Sequence, residues 1–176
     1  MSGYLIAVSI VLAALVAGWV LVRARSRRSA PAQQGGQDCD DELRGVFLAE
    51  ARAALASLER DVALWRLAPE KLERVVPLRR AFHTLKGSGL LVGAMALGEL
   101  SGKIEKLLLR VIERELAPQP EVIDVVVRAV TVLPNLVAEF AGQQRRTNVS
   151  QVLSAAERLL RLPGKPSHAT MQSRQR

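Results

Sequence analysis

The sequence predicts an all-α protein: an antiparallel four-helix bundle with an extra C-terminal helix, preceded by one transmembrane helix. Three observations carry this. Between residues 38 and 162 the apolar residues recur at spacings of three and four, and no stretch alternates with period two for long enough to form a strand. The connections between the periodic runs are short, as between antiparallel neighbours. Near the N-terminus, Tyr4 to Val22 is an unbroken run of 19 residues without a charge.

That run makes residues 1–22 a membrane anchor. At about 1.5 Å per residue it covers close to the ~30 Å hydrocarbon core. Tyr4 and Trp19 lie near its ends, where amphipathic rings favour the interface. Arg23, Arg25, Arg27 and Arg28 follow at once. Basic residues gather on the cytoplasmic side, so the expectation is a single-pass protein of the bacterial inner membrane. Its N-terminus faces out, its body is cytoplasmic, and lipid is a partner through the N-terminal helix. A cleaved signal peptide fits less well: no basic residue precedes the run, and arginines stand where cleavage would occur. Residues 23–37 read as a basic juxtamembrane stretch and flexible linker, ending Ser-Ala-Pro-Ala-Gln-Gln-Gly-Gly-Gln.

Residues 38–143 form the predicted bundle. Its first helix follows the acidic cluster Asp38, Asp40, Asp41 and Glu42, which suits a helix N-terminus. The apolar stripe is Phe47, Ala51, Ala54, Leu58, Val62, Trp65. Pro69 is read as a first-turn residue of the second helix, whose stripe is Val75, Leu78, Phe82, Leu85, Gly89, Val92. The third helix carries Leu97, Leu100, Ile104, Leu107, Val111, and Pro118 and Pro120 then break the chain. The fourth carries Val122, Val126, Ala129, Leu133, Leu136, Phe140. Pro134 inside it predicts a kink or break near Val130. Residues 144–162 hold an additional helix, Val149 to Leu162, and residues 163–176 read as a disordered basic tail.

Composition narrows the function classes. The 176 residues are 49% apolar and 24% charged, enough for one buried core with tails. Aromatics are 3% of the chain, against a nucleic-acid reader built on stacked bases. The single cysteine excludes a disulfide framework, and two histidines far apart leave little for a histidine metal cluster. The net charge of +8 sits in the flanks: residues 1–37 carry +4 and residues 144–176 carry +6, while residues 38–143 carry −2. The bundle itself offers no field for nucleic acid, and none is expected as a partner.

One histidine stands apart. His83 lies about 100° off the stripe through Phe82, on an exposed face with Arg79, Arg80, Lys86 and Gly87 at three and four residues. Gly87 and Gly89 sit inside the helix, where each costs about 1 kcal/mol relative to Ala. Glycine one turn from an exposed imidazole leaves bare backbone beside the ring and lets a macromolecule approach it. Lys86 is a cation able to pair with an anion on that ring. Histidine is a covalent nucleophile in its neutral form. Nucleophile, cation and access on one face read as a phosphoryl-acceptor patch. The competing reading is an ordinary surface histidine with helix-packing glycines.

The string His83-Thr84-Leu85-Lys86-Gly87-Ser88-Gly89, followed by Gly93, resembles the signature of histidine-containing phosphotransfer (HPt) domains: His-x-x-Lys-Gly with another glycine ten residues after the histidine. The likeness extends from about Asp40 to Gly142, over a four-helix bundle of the type at the N-terminus of chemotaxis-type histidine kinases. Leu78 to Leu100 is most similar to phosphotransfer modules of the chemosensory kinases that govern type IV pili. The resemblance implies that His83 accepts the phosphoryl group, Lys86 supports the phosphohistidine, and Gly87 gives the partner access. It makes Glu105, on a third-helix strip with Gly98, Ser101 and Gly102, the glutamate that hydrogen-bonds the histidine ring. One position departs: chemotaxis-type domains often carry a second histidine where this chain has Gly102. His168 in the tail matches nothing.

What the resemblance implies is a phosphorelay intermediate of two-component signalling. It would exchange a phosphoryl group between His83 and receiver-domain aspartates or a histidine kinase. The chain would bind no cofactor itself, with Mg²⁺ expected on the partner receiver. No glycine-rich ATP loop occurs in the sequence, so a phosphocarrier is expected rather than an enzyme. Two other classes are distinguishable: a membrane-tethered helical adaptor that accepts no phosphate, and a lipid or nucleic-acid binder acting through its tail.

Overall fold

The computed structural model describes residues 34–144 and 146–164. The predicted anchor, most of the linker, and the tail with His168 lie outside the described residues. Among the described residues no helix is long and apolar enough to cross a membrane. The described chain is all-helical: α1 (Gln34–Leu67), a 3₁₀ turn (Leu72–Arg74), α2 (Val75–Leu91), α3 (Met95–Ile112), α4 (Pro120–Phe140) and α5 (Ser150–Leu160). From residue 41 the described residues form one compact unit.

The first helix starts earlier than the sequence predicted. Residues 34–37, read as linker, are its first turn, which therefore contains no acid. Asp38 and its acidic neighbours sit further in, because nothing after Pro31 blocks the helix from running backward. Within the compact unit, α1 buries Phe47, Ala51, Leu55, Leu58, Val62 and Trp65. Leu55 takes the core place expected for Ala54, which is only partly buried. Both lie within the apolar arc, and the larger side chain gains more from burial.

Pro69 is a second correction. It lies in the turn after α1, not in α2, and its carbonyl accepts the indole N–H of the fully buried Trp65 at 3.2 Å. Pro77 occupies the first turn of α2 instead, where a missing N–H costs nothing. Helix α2 buries Val75, Leu78, Phe82, Leu85 and Gly89, as the periodicity predicts, while Val92, expected on the same stripe, falls just past the helix end and is half-buried.

A tight reversal joins α2 to α3. Ala94 N–H donates to Gly89 O at 2.8 Å and Gly93 N–H to Leu90 O at 3.3 Å. This is a Schellman cap, and it requires the left-handed conformation that Gly93 adopts at φ 81°. The signature's last glycine thus has a backbone reason. Helix α3 is buried more widely than its predicted stripe, adding Gly98, Ser101, Glu105 and Leu108. It packs closely on α2 and also meets α4 and α5.

Helix α4 begins with Pro120 and runs unbroken through Pro134, so no break occurs near Val130. Pro134 itself is on the exposed face. Val130, Leu133, Leu136 and Val137 hold both halves of the helix in the core. Phe140 closes the end edge-on against Phe47, with ring centroids 5.2 Å apart. Helix α5 buries Val152, Ala155 and Ala156, and Lys103 of α3 pairs with its Glu157 at 2.8 Å.

Candidate functional site

The site lies where α2 and α3 come closest. Small residues permit that approach. A Cβ on Gly89 would stand 2.9 Å from Leu97 Cδ2, and one on Gly98 2.8 Å from Leu90 Cγ and Cδ2. Ser101 is wholly buried and its hydroxyl has no hydrogen-bond partner, so it serves there by its size. The predicted strip of Gly98, Ser101 and Gly102 therefore does face α2.

Across this seam three α2 side chains converge on Glu105. His83 Nδ1 lies 2.7 Å from Glu105 Oε1, and Lys86 Nζ donates to Oε2 at 2.9 Å. Arg79 Nη2 stands 3.8 Å from Oε1. The Glu105 side chain is 10% exposed and that of His83 63%. Burial alone would raise the Glu105 carboxyl, but the hydrogen bonds from Lys86 and His83 and their positive charge outweigh it. They hold it below the ordinary 4.5. An ionised carboxylate has no proton to give, so the ring donates through Nδ1–H, and in the neutral ring it is Nε2 that carries the lone pair.

All four sequence-predicted residues thus share one surface. His83, Lys86 and Glu105 form a hydrogen-bonded cluster. Gly87 is exposed, and a Cβ added to it would meet nothing within 4 Å. The two helix glycines therefore differ in cause: Gly89 is required by packing, whereas nothing within the described chain requires Gly87. Gly102, at the position of the absent second histidine, is covered by the Lys86 stem; a Cβ there would lie 3.1 Å from Lys86 Cδ.

Arg79 was not singled out by sequence reasoning beyond its place in the basic patch. Its only sequence signal is its position four residues before His83. Among the described residues no group of three His, Cys, Asp or Glu side chains is placed to hold a metal. What the arrangement offers is one oriented imidazole, bound through one nitrogen and open at the other, with cations beside it.

Known proteins resemble this chain in sequence and in fold. The sensor histidine kinase CheAY of Helicobacter pylori is 28% identical over 107 residues, which are 61% of this chain and 13% of that protein. The chain thus matches only a small part of its curated relative's length. A crystal structure of the phosphorylated P1 domain of CheA3 in complex with CheY6 from R. sphaeroides has the same fold. Its TM-score is 0.58 at 20% identity, covering 68% of this chain and 94% of that one. The Hpt domain family matches residues 42–143, from α1 to just past α4. On the extent of that match, this chain belongs to the Hpt domain family.

Proposed function

We propose that the chain is a phosphorelay intermediate that carries a phosphoryl group on His83 Nε2. One observation carries the reading: Nδ1 is hydrogen-bonded to an ionised Glu105 at 2.7 Å while the ring remains 63% exposed. The carboxylate fixes the tautomer, orients the ring and raises the basicity of the free nitrogen. In the forward step the Nε2 lone pair attacks the phosphorus of a receiver's aspartyl phosphate. The N–P bond forms as the P–O bond to the aspartate breaks, and the aspartate departs as carboxylate. The ring's new positive charge is shared with Glu105 through Nδ1–H. Return of the group reverses each change.

Such transfer needs positioning and charge stabilisation rather than covalent help from the protein. Gly87 supports it: bare backbone one turn from His83 gives the receiver room to bring its aspartate in line. The solved relative is a P1 domain in complex with CheY6, which supports a receiver as partner. A histidine kinase is the other partner, and Mg²⁺ belongs on the receiver. On this reading the chain is a carrier with no ATP chemistry of its own. We further propose that residues 1–22 anchor it in the bacterial inner membrane with the bundle in the cytoplasm, which raises its effective concentration near membrane-bound kinases. Recovery of the protein in the soluble fraction would overturn the anchor.

The test mixes the 176-residue chain with ATP, Mg²⁺ and a chemotaxis-type histidine kinase, or with a phosphorylated receiver. Acid-labile, base-stable label is expected on the wild type and not on His83→Gln. Label that persists in His83→Gln, or a folded wild type that no donor labels, refutes the proposal.

A further inference from the structure

Arg79 takes no part in the transfer just described, and its surroundings are unusual. Its Nε is buried and makes no hydrogen bond. Its Nη2 is 3.8 Å from Glu105 Oε1, attracted to the carboxylate but beyond hydrogen-bond length. The bonding places on Glu105 are held by others: Oε1 by His83 Nδ1 at 2.7 Å and Oε2 by Lys86 Nζ at 2.9 Å. Two cations, Arg79 and Lys86, thus face one carboxylate, and the cluster keeps one positive charge in excess. Lys86 is the neutralised partner and Arg79 the surplus one.

The helix places that surplus beside the reacting ring. Arg79 and His83 are four residues apart and share a face of α2. Side chains on a helix lean toward its N-terminus, so the His83 ring lies over the turn that carries Arg79. The guanidinium and the ring reach the same carboxylate oxygen. A phosphoryl group on Nε2 brings close to two negative charges and three acceptor oxygens into this space.

We infer that Arg79 is the phosphoryl-binding cation of this site, turning from Glu105 to the phosphoryl oxygens on His83, while Lys86 stays on Glu105 and orients it. This rests on His83 being the acceptor. The two cations then have separate roles: Lys86 acts through Glu105, whereas Arg79 meets the transferred group. The planar fork of Arg suits phosphate oxygens, and the guanidinium is already partly desolvated.

The experiment uses the 176-residue chain phosphorylated by phosphoramidate, a small donor whose N–P bond breaks to release ammonia as the His83 N–P bond forms. A small donor removes any docking surface from the comparison. Wild type, Arg79→Gln, Arg79→Lys and Arg80→Gln are compared, with circular dichroism to confirm folding. Arg80 is the control, a neighbouring exposed cation of equal charge. Phosphorylation is expected to slow about tenfold in Arg79→Gln, to recover mostly in Arg79→Lys, and to change less than about twofold in Arg80→Gln. The Nε–H resonance of Arg79 in the wild type is expected to move when His83 is phosphorylated. Equal slowing in both Gln variants, or an Arg79 resonance that does not move, overturns the inference while leaving His83 as the acceptor. A wild type labelled by neither phosphoramidate nor a kinase overturns the proposed function and this inference together.

Discussion

Helix α3 carries two charged clusters five residues apart, and they are built in opposite ways. Arg110 is a cation with a partner at each of its three nitrogens. Its Nε donates to Glu115 Oε2 at 3.1 Å, one terminal nitrogen to the carbonyls of Leu159 and Leu160 at 3.2 and 2.9 Å, and the other to Leu162 O at 2.8 Å. It caps the C-terminus of α5, where helix carbonyls lack partners of their own. Glu105 is an anion with more cations around it than it can neutralise. Its cluster includes a side chain left 63% open to solvent. The Arg110 cluster spends its charge on partners within the chain and fixes a helix end. The Glu105 cluster keeps a positive charge in excess and an exposed ring nitrogen, the two features on which the proposed phosphoryl transfer rests.

The largest effect that would sharpen this contrast belongs to Glu105→Gln. Loss of a charge-assisted hydrogen bond to Nδ1–H should slow phosphoryl transfer to His83 by roughly 10- to 100-fold. A transfer assay on the full chain measures it, and an unchanged rate would break the contrast. Acid provides a second reading of the same residue. The Glu105 carboxyl is held below 4.5 in the folded chain by the Lys86 and His83 hydrogen bonds, against its burial. Its contribution to stability is therefore present above that value and disappears as pH falls through the lowered one. Urea melts should show wild type more stable than Glu105→Gln at neutral pH, with the gap closing in acid.

Arg110→Ala should act on stability and not on chemistry. Removing it leaves the last carbonyls of α5 and Glu115 without their donor, a loss of about 2 kcal/mol. The denaturation midpoint should fall while transfer to His83 stays unchanged wherever the bundle is folded. Arg110→Lys should not rescue it, because one ammonium does not span three carbonyls and a carboxylate. A transfer defect in Arg110→Ala at full folding would show that the clusters communicate along α3.

How much of this the sequence shows follows from what decides each feature. The stripe of α2 is legible because helical periodicity alone fixes which residues face inward, and His83 stands out by its offset from Phe82. Glu105 is legible through resemblance, since spacing does not say which acid of α3 meets which face of α2. The roles of Arg79 and Arg110 are not legible. Long basic side chains bend toward whatever partner the tertiary approach supplies, and the sequence holds many equivalent arginines. Pro69 misleads because proline suits turns as well as first helical turns, and the nearby Pro77 is the one inside α2. The break expected at Pro134 does not occur because core residues on both sides of it, Val130 and Leu133 before and Leu136 and Val137 after, hold the helix in place, which spacing alone does not show.

Gly87 and Gly89 offer a smaller comparison within one helix. Gly87→Ala should raise stability by about 1 kcal/mol, since the added methyl meets nothing and alanine favours the helix. The same methyl should slow transfer from a receiver while leaving phosphoramidate labelling unchanged. Stability and transfer then move in opposite directions. A gain in stability with receiver transfer intact would remove partner access as the reason for this glycine.

The smallest effect concerns three helix ends of one design. Gly93 after α2, Arg114 after α3 and Gly142 after α4 all take the left-handed conformation, at φ 81°, 60° and 93°. At each, the residue's own N–H and that of the next residue bond back to the last turn: Gly93 and Ala94, Arg114 and Glu115, Gly142 and Gln143. Two of the three use glycine, which adopts this conformation without a Cβ clash. Arg114 adopts it at a cost, and its side chain is exposed, where a charge contact would offset little of that strain. Arg114→Gly should therefore stabilise the bundle, by about 0.5 kcal/mol after the extra chain entropy of glycine is subtracted. Denaturant unfolding should show a slightly higher midpoint at unchanged slope. A lower midpoint would mean that Arg114 contributes a charge interaction at the end of α3 larger than the strain its backbone carries, which would add that turn to the charged clusters of the helix that already holds Glu105 and Arg110.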